Sequence, residues 1–280
     1  MKKFKLGIKY FLIFITLIFF SFPIYWMITT SFKPADDWFK WPPTLIPTRF
    51  TFESYGGSPT EVYRAASVVN LVPYMRNSFI IASLTSILST LISISAAFSI
   101  SRFKVGGMRL INWVISTRII PPIVALVPLY VIFQSFKLLD TWWAVILVYT
   151  VFMTSLGTFV LIVFFNTIPK ELDEAAYLDG CGPFKTLIHV LIPAALPGII
   201  SVALLSFLFS WSEFLIALIL TNTDNSQTLP VFVGRYITGF QIAWGPISAA
   251  GTLIMLPATI LAYITLRYLI TGLTFGAVKG

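Results

Sequence analysis

The sequence predicts an all-α protein that crosses a membrane several times. Three observations lead there. Of the 280 residues, 57% are hydrophobic and only 11% are charged, and the charges gather between long apolar runs instead of within them. Soluble domains carry about 25% charged residues, so a chain this poor in charge cannot solvate a surface of its own. The formal net charge of +8 does not point to nucleic acid. A nucleic-acid binder stripes Lys and Arg along a soluble face, whereas here they stand at the ends of apolar runs, where they orient a protein in a bilayer. The single cysteine, Cys181, excludes an internal disulfide and any cysteine-based metal cluster.

A bilayer core of about 30 Å requires roughly 20 apolar residues per helix. On that ruler six transmembrane helices are expected: Tyr10–Phe32, Asn77–Ile100, Ile119–Phe136, Trp142–Phe165, Leu196–Leu220 and Ile247–Ile270. The first follows a basic Met1-Lys-Lys-Phe-Lys start but is too long for a signal sequence and offers no small-residue cleavage site, so it reads as an uncleaved anchor. The third is ambiguous, because Pro121-Pro122 interrupts the run Leu110–Phe136. Proline is tolerated at a helix start and costly in its interior. Met108–Thr117 is therefore read as an amphipathic segment along the inner interface, with the span beginning near Ile119 and Arg118 snorkelling to the headgroups.

Basic residues set the orientation. Lys2, Lys3, Lys5, Lys9, Arg102, Lys104, Arg109, Lys170, Lys185 and Lys279 all fall on one side of a six-span chain, which makes that side and both termini cytoplasmic. The outer connection 33–76 carries five basic residues against four acidic ones, and long loops count for less. Its Pro, Gly and Trp content suits either the headgroup region or the docking of an external protein. Residues 1–280 read as one transmembrane domain.

The cytoplasmic connection 166–195 is unusually long. Pro169 suits a first helical position, and Glu171, Asp173 and Glu174 place carboxylates at the positive helix end. Leu172, Ala175, Ala176 and Asp179 recur at helical spacing, Gly180 suits a left-handed cap, and Gly182-Pro183 prevents continuation. The pattern predicts an isolated helix of about eleven residues, roughly 16 Å long. Small residues allow a close approach, and carboxylates can receive Arg or Lys from a partner. Helices that lie on membranes prefer a basic polar face, so a protein partner fits better.

These residues carry a resemblance. Glu174-Ala175-Ala176, Gly180 and Val190-Leu191-Ile192-Pro193, between the fourth and fifth expected spans, resemble the EAA loop of binding-protein-dependent ABC import permeases, with Val190 and Ile192 as conservative departures. Pro128-Leu-Tyr, Leu138-Leu-Asp-Thr-Trp, Asn77-Ser78 and Trp211-Ser-Glu-Phe are similar to the sugar-permease subset. The end, Gly272 to Gly280 with Gly276 and Lys279, resembles the tail of the smaller maltose-type permease, which reaches toward the ATPases.

The resemblance implies the ABC importer permease fold in a bacterial or archaeal cytoplasmic (inner) membrane. It also implies a second permease subunit, a cytoplasmic ATPase dimer and an extracytoplasmic sugar-binding protein as partners. Glu171, Leu172, Glu174, Ala175, Ala176, Leu178, Asp179, Gly180 and Pro193 would meet the ATPase. ATP and Mg would be bound by the partner subunits, since this chain has no phosphate-binding Gly-Lys-Ser/Thr loop; it is read as a transport subunit without cofactor or catalytic site of its own. The connection Thr221–Gly245 resembles the family loop that probes the binding protein.

Glu213, inside the fifth expected span, is the sharpest outlier, because intramembrane carboxylates are costly and point to function. Two readings stand: it lines an aqueous sugar path with Trp211, or it bonds a neighbouring helix or the partner permease. His189 has no second ligand at metal spacing and reads as an interfacial histidine. An ABC permease for another solute remains an alternative. A secondary transporter needs two internal repeats, and no convincing second copy is present. A membrane enzyme lacks a nucleophile–base pair.

Overall fold

The computed structural model describes residues 2–56, 70–117, 121–237 and 242–277. Among these residues the regular structure is all helical, with one isolated bridge between Ile237 and Ile242. Four of the described helices are long and apolar enough to cross a membrane: Leu6–Ser31 within α1 (Lys2–Ser31), α2 (Val72–Phe103), α5 (Trp142–Thr167) and Trp244–Ile264 within α12 (Trp244–Ala277). They coincide with the first, second, fourth and sixth expected spans.

The other two expected spans are corrected. In place of the third, α4 (Pro122–Ser135) begins at Pro122, three residues after the expected start near Ile119. Pro121 is extended (ψ 133°), as a residue before proline must be, and Pro122 then occupies the first turn, where its missing N–H is harmless. Residues 118–120, with Arg118, lie outside the described residues. The helix α3 (Gly107–Ser116) matches the expected amphipathic segment. The fifth span is not one helix. It divides into α9 (Leu196–Ser212) and α10 (Leu215–Leu220), with Glu213 extended between them.

The connection 166–195 holds more helix than expected. After α6 (Glu171–Leu178) the chain continues through α7 (Pro183–Thr186), a π-helical turn Leu187–Leu191 and α8 (Ile192–Ala194), and Pro183–Ala194 meets α9 at 81°. The π turn has a local cause. Pro193 has no N–H for the carbonyl of His189, and a proline ring crowds that carbonyl, so the ladder widens by one residue and the N–H of Ile192 donates to Leu187.

The chain forms two compact units. One comprises Met1–Pro73 and Phe232–Leu256. Along α1 the apolar side chains are exposed, Phe19 at 70% and Phe20 at 68%, as suits a helix bathed in lipid or covered by another subunit. Beyond it the segment to Gly56 is ordered by two charged residues. Lys33 is buried, donating to the carbonyl of Thr44 at 2.6 Å with its ammonium 3.9 Å from the Trp26 ring centre. Asp37 accepts from the N–H and hydroxyl of Thr48 at 2.9 and 2.7 Å.

The second unit comprises Tyr74–Val231 and Pro257–Gly280. It has two apolar clusters. One joins Ile81, Val145, Val148, Tyr149, Ile216 and Leu220. The other joins Ile94, Phe98, Leu161, Phe165, Leu187 and Leu191. Small residues let the helices close up, as expected where lipid supplies no hydrophobic drive between helices. A side chain at Gly198 would stand 2.5 Å from the Phe164 ring. Ser86 donates across to the carbonyl of Ala203 at 2.6 Å, and Ser93 to that of Thr154 at 3.1 Å.

Candidate functional site

The first candidate site is α6 and its two ends. The helix has eight residues and not eleven. Its start lies at Glu171, and the carbonyl of Ile168 ahead of it is turned to Arg102, which donates to it at 3.1 Å. The first helical bond runs from the N–H of Glu174 to Lys170 at 3.0 Å. At the other end the N–H of Gly180 donates to Tyr177 at 3.0 Å and that of Cys181 to Ala176 at 2.9 Å. This pair of bonds is a Schellman cap, and Gly180 takes the left-handed φ of +81° that it requires. A side chain at Gly180 would meet nothing within 4 Å, so the constraint there is conformational and not steric.

The faces of α6 divide differently from the expected stripe. Ala176 and Asp173 turn inward and are buried, whereas Glu171, Leu172, Glu174, Ala175, Leu178 and Asp179 are exposed. Leu178 is 90% exposed and Phe184 71%, so an apolar tip is rimmed by carboxylates. Such a surface fits a protein partner, which would cover the apolar centre and meet the rim with basic groups. Asp173 is not part of that rim. Its carboxylate forms an ion pair with the Arg102 guanidinium at 2.6 Å, both side chains being largely buried. Burial pushes the Asp173 carboxyl above its ordinary value, against the pull of Arg102 and Lys170. Pro193 is exposed in α8, and Gly276 falls near the end of α12. Lys279 lies outside the described residues.

Glu213 sits at the break between α9 and α10. Its carboxylate accepts the N–H groups of Ile216 at 3.0 Å and Ala217 at 3.3 Å, and the Tyr149 hydroxyl at 2.6 Å. It thus caps α10 and ties it to α5. The same bonds explain why the helix breaks, since the side chain takes the donors that would otherwise continue the α9 ladder. Trp211 is buried at 2% exposure and stacks on Phe207 with ring centres 5.8 Å apart.

A third constellation gathers at the far end of α2. Asp140 accepts from the N–H groups of Asn222 at 2.8 Å and Thr223 at 2.9 Å, from the Thr223 hydroxyl at 2.8 Å, and from the Ser226 hydroxyl. Asn77 donates to the carbonyls of Asp224 and Gln227, both at 2.9 Å, and the Ser78 hydroxyl accepts from the N–H of Leu229 at 2.8 Å. The Trp142 indole donates to Asn225 at 2.8 Å. The turn 222–225 is thereby held exposed on a rigid base. The sequence marks Asn77-Ser78 and Leu138-Leu-Asp-Thr-Trp only by their resemblance, whereas the hydrogen bonds give them a structural role.

Burial raises the Asp140 pKa, but the bonds from Ser226, Asn222 and Thr223 outweigh it and bring it down to about 2. A depressed carboxylate contributes stability that is complete above its ordinary value and lost as pH falls through the folded one. The clamp therefore holds above about pH 4 and loosens toward pH 2. Asp140→Ala should release the turn at neutral pH. Hydrogen bonds to a charged acceptor contribute about 1.5–3 kcal/mol each, so amide exchange at Asn222 and Thr223 should quicken by roughly 30-fold or more. Unchanged exchange would mean that the turn is held by something else.

The model of the family described as binding-protein-dependent transport system inner membrane component matches residues 89–274. The chain belongs to this family. It is thus a transport permease component, not a catalytic subunit, in a multi-pass inner-membrane setting. Among relatives of this permease, the sulfoquinovosyl glycerol transport system permease SmoH of Agrobacterium fabrum is 35% identical over 92% of this chain and 89% of its own. The trehalose/maltose transport system permease MalG of Thermococcus litoralis is 33% identical over 92% and 91%. A chain of a solved bacterial ABC transporter involved in the import of the polysaccharide alginate shares the fold, with a TM-score of 0.77 at 16% identity over 95% of this chain and 96% of that one.

Proposed function

We propose that this permease forms half of the translocation pore of an ATP-driven sugar importer, pairs with a second permease, and presents α6 to a cytoplasmic ATPase dimer that binds the ATP and Mg. An extracytoplasmic sugar-binding protein docks on the opposite side, where the turn 222–225 is displayed. The carbohydrate assignment draws on relatives named for trehalose, maltose and sulfoquinovosyl glycerol. The observation that carries the coupling role is the exposed, acid-rimmed apolar tip of α6, fixed in direction by the Gly180 cap. Gly276 and Lys279 belong to a tail directed at the same ATPases.

The reading requires six spans with both termini inside. On this reading α4, whose 14 residues cover only about 21 Å, is the third span, and α9 and α10 together make the fifth. Cysteine scanning tests the arrangement. A cysteine at the exposed Asn225 should react with an impermeant reagent in intact cells, and one at Lys185 only after permeabilisation. Labelling of the Lys185 position from outside would overturn the topology and, with it, the placement of α6.

A further inference from the structure

The eight-residue helix α6 is too short to be stable alone, since isolated helices under about 12–15 residues are marginal in water. Only Asp173 and Ala176 of its side chains are buried. Ala176 offers one methyl group. Asp173 offers a charge paired with Arg102, which lies in the last turn of α2, and Arg102 also holds the carbonyl of Ile168 just ahead of α6. One guanidinium therefore grips both the body of α6 and the stretch of chain leading into it.

The pair is poorly explained as a device for stability. Buried ion pairs are often no better than apolar packing, because desolvation offsets their attraction. Here Asp173 leaves its Oδ1, and Arg102 its Nε, buried without a hydrogen bond of good geometry, so the contact is an ion pair whose desolvation is only partly compensated. What a charge pair supplies and a methyl contact does not is fixed register and direction. The far end of the same helix α2, about 38 Å from Arg102 at 1.5 Å per residue, carries Asn77 and Ser78, which hold the exposed turn 222–225 from below.

We propose that Arg102 is a positioning residue for transport: its pair with Asp173 makes α6 and the inner end of α2 move as one body, so that ATPase motion reaches α2 and the segment clamped at its outer end. This rests on the reading of α6 as the helix that meets the ATPase. Removal of either charge disengages α6 from α2 while leaving α6 on the ATPase.

The test uses the complete complex in reconstituted membranes, with Arg102→Gln and Asp173→Asn as separate variants. The first readout is sugar moved per ATP hydrolysed. Both variants should retain the ATPase on copurification, yet their transport ratio should fall at least about tenfold. The second readout is the distance between spin labels on Tyr177 of α6 and Ser95 of α2, both exposed, with and without a non-hydrolysable ATP analogue. The parent complex should show one distance in both states, and Arg102→Gln two. A nucleotide-dependent distance in the parent, or a parental transport ratio in both variants, overturns the proposal. So does a loss confined to complex yield with the parental ratio in what survives. Absence of the ATPase from the parent complex is a different failure, since it removes the reading of α6 itself.

Discussion

Gly180→Asp should leave the protein inserted in the membrane and reduce ATP-driven uptake by at least about tenfold, through weakened ATPase docking or hydrolysis uncoupled from transport. A non-glycine residue in the left-handed region costs about 1 kcal/mol or more, and here nothing crowds the position, so the fold survives. The cap instead relaxes, and α6 loses the end that aims it. The new carboxylate stands beside Asp179 at the negative end of the helix, which adds repulsion. Gly180→Ala carries the conformational penalty alone and should impair uptake less, ordering the two variants. Glu174→Lys should match Gly180→Asp by another route, reversing an exposed charge on the rim without touching the cap. The assay is copurification of the ATPase with binding-protein-stimulated hydrolysis in reconstituted membranes. Parental docking and uptake in both Gly180→Asp and Glu174→Lys would mean that α6 is not the coupling element.

Glu213→Ala should destabilise the helices that pack around α10. It removes the cap of α10, a loss of about 0.5–2 kcal/mol, and leaves the buried Tyr149 hydroxyl without its acceptor, a further loss of about 1–3 kcal/mol. The melting temperature of the purified complex and its yield should both fall. Tyr149→Phe removes one partner of the same bond but keeps the cap, so its effect should be the smaller. Full stability in Glu213→Ala together with abolished transport would assign the carboxylate to the cargo, the path reading that its position in an apolar run suggests.

The parts legible in the sequence are those set by local or one-dimensional constraints. Bilayer thickness dictates the length of an apolar run, and so α1, α2, α5 and α12 fall where hydropathy puts them. The α6 cap is legible because Gly180 meets a requirement of its own backbone. What the sequence hides depends on partners distant along the chain. Glu213 breaks a helix because its carboxylate reaches two nearby N–H groups and Tyr149 on α5, and hydropathy sees only apolar neighbours. Asp173 resembles one more carboxylate for a partner, because nothing local reveals that Arg102 covers it. Pro183 suits the stop after one helix and equally the first turn of another, and the chain uses it to begin α7. The stripe of Leu172, Ala175, Ala176 and Asp179 has helical spacing, but small residues do not tell which side faces inward.

The central claim, that this permease works as half of an ATP-driven sugar importer, is tested most directly by uptake in proteoliposomes that contain the chain as it purifies with its partners. With its binding protein outside and ATP enclosed, labelled sugar should accumulate, hydrolysis should rise on addition of loaded binding protein, and a second permease and an ATPase dimer should be present in the purified complex. Sugar uptake that proceeds without ATP, by a preparation that contains no ATPase, would contradict the account.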